Sequence, residues 1–371
     1  MKFLIKYLIK KVVMDSMNRL KNIDYFEKKR EMLNIISVQK KLNGIPNCII
    51  DLIYKYGVDD IANMLSNREF FQSVVCNQNI YIIGGSNRGS RTSYRNVETY
   101  DMSTNIWTPV SNMLTSRVFH GVSVLKDANK EFIYSVGGFD TGNIRKYVLP
   151  TVLSDVEKYD YSLNIWTTVC SMTISRMRHG VCVMTETDGK QFLYAIGGCI
   201  NEIQVSPSVE KYDQELNRWT RVADMNIGRK NHKVAVVTDK NGKQFLYAIG
   251  GDNDSGILQS VEKYDYELNT WTLVSNIKQP RTDFNVVVIN NCLHIVGGYV
   301  GMSFIYSIDK YDPISNDWKQ PVAYISMLKH LTNVLVVTLD GKPYLYTLGG
   351  YDGSGLLKSV DRYIPVGGKW C

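Results

Sequence analysis

Several features are scarce in this sequence of 371 residues, and each absence removes a class of function. The seven cysteines (Cys48, Cys76, Cys170, Cys182, Cys199, Cys292 and Cys371) include no CxxC pair. An odd, scattered set in a large chain reads as reduced, mostly buried thiols and a cytoplasmic location. No apolar run is long enough to span a bilayer, so no integral membrane association is expected. In the opening MKFLIKYLIKKVV, Lys6, Lys10 and Lys11 interrupt the apolar residues and no small-residue cleavage site follows. A secretory signal is therefore not expected, nor an Arg- and Ser-rich transit peptide, while a basic helix touching a membrane surface stays open. No serine-nucleophile, phosphate-loop or zinc-protease motif is present. Net charge is +7, and residues 1–65 carry 12 basic and 7 acidic side chains, which leaves 31 against 29 for the remainder. A body so nearly neutral lacks the basic face that nucleic acid requires.

Against 9 prolines stand 24 tyrosines, a balance that favours strands. Repetition organises them. An apolar strand ending in a glycine pair occurs six times, at Gly84-Gly85, Gly137-Gly138, Gly197-Gly198, Gly250-Gly251, Gly297-Gly298 and Gly349-Gly350, at intervals of 53, 60, 53, 47 and 52 residues. A tyrosine follows each pair (Tyr100, Tyr159, Tyr212, Tyr264, Tyr311, Tyr363), and seven residues later comes a tryptophan (Trp107, Trp166, Trp219, Trp271, Trp318, Trp370). These are all six tryptophans of the chain. Each unit reads as four short strands, HKVAVVT, QFLYAIGG, SVEKYD and NTWTLV in the fourth, separated by turn residues. Antiparallel sheets of about 50 residues repeated in this way close radially into a propeller. The glycines suit close approach, the Tyr and Trp rings fill the wedge between blades, and the acids flanking each tyrosine (Glu98, Glu157, Glu210, Glu262, Asp309 and Asp361 before it; Asp101, Asp160, Asp213, Asp265 and Asp312 after it) can tie turns through backbone N–H groups.

The pattern hydrophobic-Gly-Gly, VEKYD, N-x-W and M-x-x-x-R-x-x-H-G-V resembles the kelch repeat over residues 66–371. The resemblance implies an all-β fold, a six-bladed kelch β-propeller with blades near 66–113, 114–172, 173–225, 226–277, 278–324 and 325–371. Arg117, Arg176, Arg229 and Arg281 fall ten residues after a tryptophan, and Lys329 is shifted by one. The sixth unit, YIPVGGKWC, lacks the Asp after Tyr363 and the Asn before Trp370. Its outer strand is expected to be stunted, and closure to rest on packing between the first and last blades, the weakest seam of the ring.

Residues 1–65 read as a helical N-terminal segment. An amphipathic stripe runs through Leu20, Ile23, Phe26, Leu33 and Ile36, a second helix carries Ile49, Leu52, Ile53 and Tyr56, and a third, capped by Asp59 or Asp60, runs to Leu65. Kelch propellers often follow BTB and BACK domains, which together need well over about 100 residues. The run from Ile45-Pro46 through Ile49, Ile50 and Ile53 is similar to the start of an F-box, with later positions out of register.

His120, His179 and His232 recur at one repeat position without a carboxylate or cysteine at ligand spacing, so no metal and no cofactor is expected. Neither can the tyrosine, cysteine and histidine set of a kelch copper oxidase be assigned. GGSNRG lacks the helix of a dinucleotide fingerprint, and DNDSG at 252–256 would need Glu where Lys263 stands to be a calcium loop.

What varies between units is the loop after each glycine pair: 86–95, 139–154, 199–208, 252–259, 299–307 and 351–359. Varied loops on a rigid frame are where recognition lives. Arg88, Arg91, Arg95, Arg145 and Lys146 stand in the first two, and Tyr299, Met302, Phe304 and Tyr306 in the fifth. An arginine group beside aromatics suits an acidic peptide with an apolar anchor. The expected function is therefore a protein-binding module, not an enzyme. Resemblance to kelch proteins implies substrate recognition for a cullin-type ubiquitin ligase, or competition with one, with residues 1–65 meeting the cullin or a Skp1-type adaptor. Actin binding and a propeller-borne enzyme are the alternatives.

Overall fold

The structure is a computed structural model that describes residues 61–370 apart from 88–91, 128–129, 143–148, 202, 302, 325–332, 340, 352–353, 364 and 367–368. The helices expected before residue 61 and most of the F-box-like run lie outside the described residues.

The chain forms a six-bladed β-propeller. The first blade comprises Gln72–Cys76, Asn79–Ile83, Val97–Asp101 and Ile106–Val110, paired antiparallel in sequence order. The second (Gly121–Asp127, Lys130–Asp140, Thr151–Asp160, Ile165–Val169) and third (Gly180–Thr185, Gln191–Ile196, Val209–Asp213, Arg218–Val222) repeat the plan. So do the fourth (Lys233–Thr238, Gln244–Ile249, Val261–Asp265, Thr270–Val274) and fifth (Asn285–Ile289, Cys292–Val296, Ser307–Asp312, Asp317–Tyr324). First strands neighbour one another around the axis, and Asn333–Leu339 of the sixth blade lies beside Gln72–Cys76 of the first, which closes the circle.

Burial follows radius. The second strand, such as Gln191–Ile196, is covered on both sides by adjoining blades, whereas in the outer strand Arg218–Val222 only Trp219 is buried. Trp166 of the second blade packs with Tyr81, Ile83, Val97 and Met113 of the first. The ring of Tyr159 sits 4.9 Å from Trp166 and 5.9 Å from Tyr81, so large aromatic area bridges the widening gap between blades.

Two side chains per unit stitch that gap. The indole of Trp219 donates to the Cys170 carbonyl of the preceding blade at 2.9 Å. Asn217 adopts a left-handed backbone (φ 46°), which Asn tolerates, and its amide oxygen accepts both the Tyr212 hydroxyl at 2.8 Å and the Cys170 N–H at 2.9 Å. Asp213 receives the N–H groups of Glu215 and Leu216 across the turn. In the sixth unit Ile364 and Gly368 replace these Asp and Asn residues. Among the described residues no fourth strand joins the sixth sheet. Asn333–Leu339, Lys342–Leu348 and Val360–Tyr363 make a three-stranded sheet, and Pro365–Val366 pairs separately with Lys369–Trp370.

The linkers between blades carry a buried arginine. Arg176 donates to the carbonyls of Gly197 and Ser208, both at 2.9 Å, and to the Glu210 carboxylate at 2.8 Å. The same carboxylate accepts the Thr173 and Ile174 N–H groups. Arg117–Glu157, Arg229–Glu262 and Arg281–Asp309 repeat the pair with fully buried guanidinium groups. The linker also explains the glycine pair. A Cβ on Gly197 (φ 62°) would come within 2.7 Å of the Arg229 carbonyl and 2.8 Å of the Met225 methyl.

Residues 61–65 are not helical, which corrects the helix expected to run to Leu65. Blade one takes up their backbone instead: Ala62 donates its N–H to Asn105 and its carbonyl accepts the Trp107 indole. Met64 and Arg68 form a further copy of the Met-x-x-x-Arg linker, with Arg68 paired to Glu98. Met64 packs on Gly349 of the sixth blade and exchanges backbone contact with Lys358, while Asn333 donates to the Phe71 carbonyl. The seam thus closes through the linker ahead of blade one, with no strand exchanged among the described residues.

Glu210→Ala should strand a buried guanidinium and two amides, and lower stability by about 3–5 kcal/mol. Asp224→Ala, which breaks the exposed Arg221–Asp224 pair, should cost less than about 1 kcal/mol. Urea midpoints of the two variants check this, and equal midpoints would contradict the role given to the buried pair.

Candidate functional site

Where the linkers turn into the first strands they form a collar around the axis. Its members are Phe70, Phe119, Arg178, Asn231 and Asp283, each two residues after its linker arginine. All five are left-handed, with φ between 50° and 56°. Successive members are joined through the backbone: Arg178 N–H to Phe119 C=O at 2.8 Å, and Asn231 N–H to Arg178 C=O at 3.0 Å. Asn and Asp tolerate this conformation, but Phe and Arg are strained in it by roughly 1 kcal/mol or more each.

The collar rims a pocket of about 110 Å³, open to solvent, that also includes His120, His179, His232, Lys233 and Asn333. Phe70 and Phe119 lie 4.4 Å apart, and the Arg178 guanidinium lies 4.4 Å from the Phe119 centroid on that ring's face. One arc of the mouth is therefore aromatic, the next cationic, and Asp283 stands beyond. No ion pair or side-chain hydrogen bond engages the Arg178 guanidinium among the described residues. Burial lowers the Lys233 ammonium pKa, with Asp283 opposing. The three histidines are buried at 1%, 7% and 3% exposure, and neither ring nitrogen of His179 has a hydrogen-bond partner among the described residues. Burial, reinforced by the neighbouring Arg117, Arg176 and Arg229, pushes each imidazole well below its ordinary pKa and keeps it neutral.

The varied loops open on this same face. Five of them begin with a backbone bridge to a linker: Ser86 with Glu69, Phe139 with Val118, Cys199 with Met177, Asp252 with Lys230 and Tyr299 with Thr282. Arg95 is exposed there. Tyr299 and Phe304 face each other at 5.7 Å across the short hairpin Tyr299–Val300/Ser303–Phe304, Phe304 is 41% exposed, and Tyr306 is half-buried. Arg88, Arg91, Arg145, Lys146 and Met302 lie outside the described residues. The loop at 139–154 begins and ends as strand, with Phe139 paired to Val152 and Asp140 to Thr151. DNDSG forms a hairpin whose Asp252 carboxylate accepts from Asn231 and Thr282, so it ties the loop to two linkers. Sequence reasoning passed over the collar, although the constant offset from each linker arginine was there to be read.

The Kelch motif family model matches residues 68–114, 193–226, 228–277, 280–321 and 331–371. The chain belongs to the kelch-repeat family. Kelch-like protein 25 of Xenopus tropicalis is 30% identical over 282 residues, 73% of this chain and 45% of that protein. Kelch-like protein 23 of Homo sapiens is 27% identical over 297 residues, 78% of this chain and 47% of that protein. The chain thus spans less than half the length of these relatives. The solved structure of YjhT superposes with a TM-score of 0.66 at 15% identity, covering 84% of this chain and 99% of that one, which shows the shared fold.

The kelch histidines carry a pH dependence. Folded, they are neutral; unfolded, each titrates near its ordinary value of about 6.5. Below that value the unfolded state binds more protons, so their stabilising contribution is complete above about pH 6.5 and falls with pH by up to roughly 1.4 kcal/mol per unit per histidine. The urea midpoint should drop between pH 7.5 and 5.5, and less so in His179→Phe, since Phe284 fills that position in blade five. A midpoint indifferent to pH in the wild type would contradict neutral burial.

Proposed function

We infer that this kelch propeller is a protein-recognition module whose binding surface is the face carrying the varied loops and the axial pocket. The observation that carries the reading is the collar: strained Phe70, Phe119 and Arg178 side chains line a mouth where Asn or Gly would relieve the backbone. Strain of this kind gathers at ligand-binding positions. Arg88, Arg91, Arg95, Arg145 and Lys146, with Tyr299, Met302, Phe304 and Tyr306, are the loop residues proposed to contact the partner.

Within that reading, the finer role is substrate recognition for a cullin-type ubiquitin ligase, or competition with such an adaptor, in the cytoplasm. Similarity to kelch-like proteins supports it. Residues 1–65 would supply the contact to a cullin or a Skp1-type adaptor, and the chemistry would belong to the ligase, not to the propeller.

Gel filtration of the purified chain with a cullin, with a Skp1-type adaptor and with actin filaments in a parallel pelleting assay tests the assignment. The expected result is co-elution with one ligase component, lost in Ile49→Asp/Ile53→Asp. Failure to co-elute with either, together with pelleting on filaments, would replace it with a cytoskeletal role.

A further inference from the structure

The axial pocket holds an amine that the fold leaves uncommitted. Lys233 follows His232 into the first strand of blade four, and its half-buried side chain lines the pocket together with Phe70, Phe119 and Asp283. Among the described residues no hydrogen bond, ion pair or ring contact engages its ammonium group. An ordinary lysine, with a pKa of about 10.4, is almost wholly charged at neutral pH and a poor nucleophile. Burial holds Lys233 below that range and holds the Asp283 carboxyl above the usual carboxylate range, although each charge favours the other. A lysine desolvated in this way is the kind that attacks carbonyl carbon. Burial lowers Lys158 and Lys263 as well, but their ammonium groups lie on phenylalanine rings at 3.7 and 3.6 Å, and neither residue lines the pocket. The Phe70 and Phe119 rings, 4.4 Å apart, give the pocket that holds Lys233 an apolar, aromatic wall.

We propose that Lys233 is an aldehyde-reactive amine, and that the axial pocket takes a small aromatic aldehyde whose ring packs on Phe70 and Phe119 while its carbonyl carbon bonds to the Lys233 Nζ. The Nζ lone pair forms the new bond to carbon, the π pair of the carbonyl moves to oxygen, and one proton passes from nitrogen to that oxygen. Nitrogen then forms its second bond to carbon as the C–O bond breaks. The oxygen leaves as water with a proton given by Asp283, and the Asp283 carboxylate remains as counter-ion to the iminium. No oxidant or reductant is consumed. The inference goes beyond recognition of a protein partner, because it assigns the pocket a small-molecule ligand held by a covalent bond that water reverses.

The test is reductive trapping on the full chain at neutral pH, with benzaldehyde and in parallel with propanal, each in the presence of cyanoborohydride, followed by peptide mapping by mass spectrometry. Exposed Lys240, in the turn after the same strand, is the internal reference. The expected result is that benzaldehyde labels Lys233 at least about ten-fold faster than Lys240. The ratio of benzaldehyde to propanal labelling should also be higher at Lys233 than at Lys240, and Phe119→Asn should bring it down towards the Lys240 value. Asn suits the left-handed backbone, as Asn231 does at the equivalent collar position, and thermal melts confirm that the variant folds. Lys233→Arg should remove the rapid adduct from the mass of the intact chain. Labelling of Lys233 no faster than of Lys240, or a rapid adduct that survives in Lys233→Arg, would overturn the reactive amine. Equal benzaldehyde-to-propanal ratios at the two lysines would overturn the aromatic aldehyde. Either failure leaves the reading of the loop face as a protein-recognition surface standing.

Discussion

The buried arginine of each linker is the interaction on which the rest depends. A propeller must carry its chain from the rim of one blade back to the axis of the next, and that crossing leaves backbone carbonyls and amides out of reach of strand pairing. Arg176 meets two of the carbonyls and the Glu210 carboxylate, and Glu210 in turn takes two linker amides. Taken alone, a buried ion pair is a poor source of stability, because desolvation opposes it. Its value here is directional. It holds the linker at one height against the glycine pair of the preceding blade, so neighbouring sheets meet at one angle and the wedge left over is the size of a Tyr-Trp pair.

From that constraint the face of the molecule follows. Two residues beyond each arginine the chain turns left-handed, and the side chain at the turn is delivered to the axis. The frame fixes where this side chain points but not what it is. One shared position holds Phe70, Phe119, Arg178, Asn231 and Asp283, aromatic, cationic, amide and anionic in turn, while the arginines beneath them do not differ at all. Scaffold and recognition are thus separated by two residues along the chain.

The division explains what could be read beforehand. Gly84-Gly85, Tyr100, Trp107 and their copies repeat because packing between blades demands one solution, and a sixfold grid of identical residues is visible without coordinates. The arginine recurrence is equally visible, but the sequence ties its partner acids only to turns, since a pairing across roughly 30 to 40 positions leaves no local trace. The copy at Met64 and Arg68 escaped because it precedes the first glycine pair and was divided between a supposed helix and the first blade. The collar is marked in the sequence only by its constant offset from the linker arginines. Phe and Arg contradict the propensity of a left-handed position, so nothing in their identity announces the turn.

Closure of the ring through the Met64–Phe71 linker is the claim most directly open to measurement. Native-state hydrogen exchange on the full chain and on Met64→Gly compares blade by blade how readily the amides open. The account predicts that the substitution speeds exchange most in blades one and six, at Ile80–Ile83 and Tyr344–Leu348, and least in blade three at Leu193–Ile196. Loss of protection spread evenly around the ring, or greatest in blade three, would contradict it.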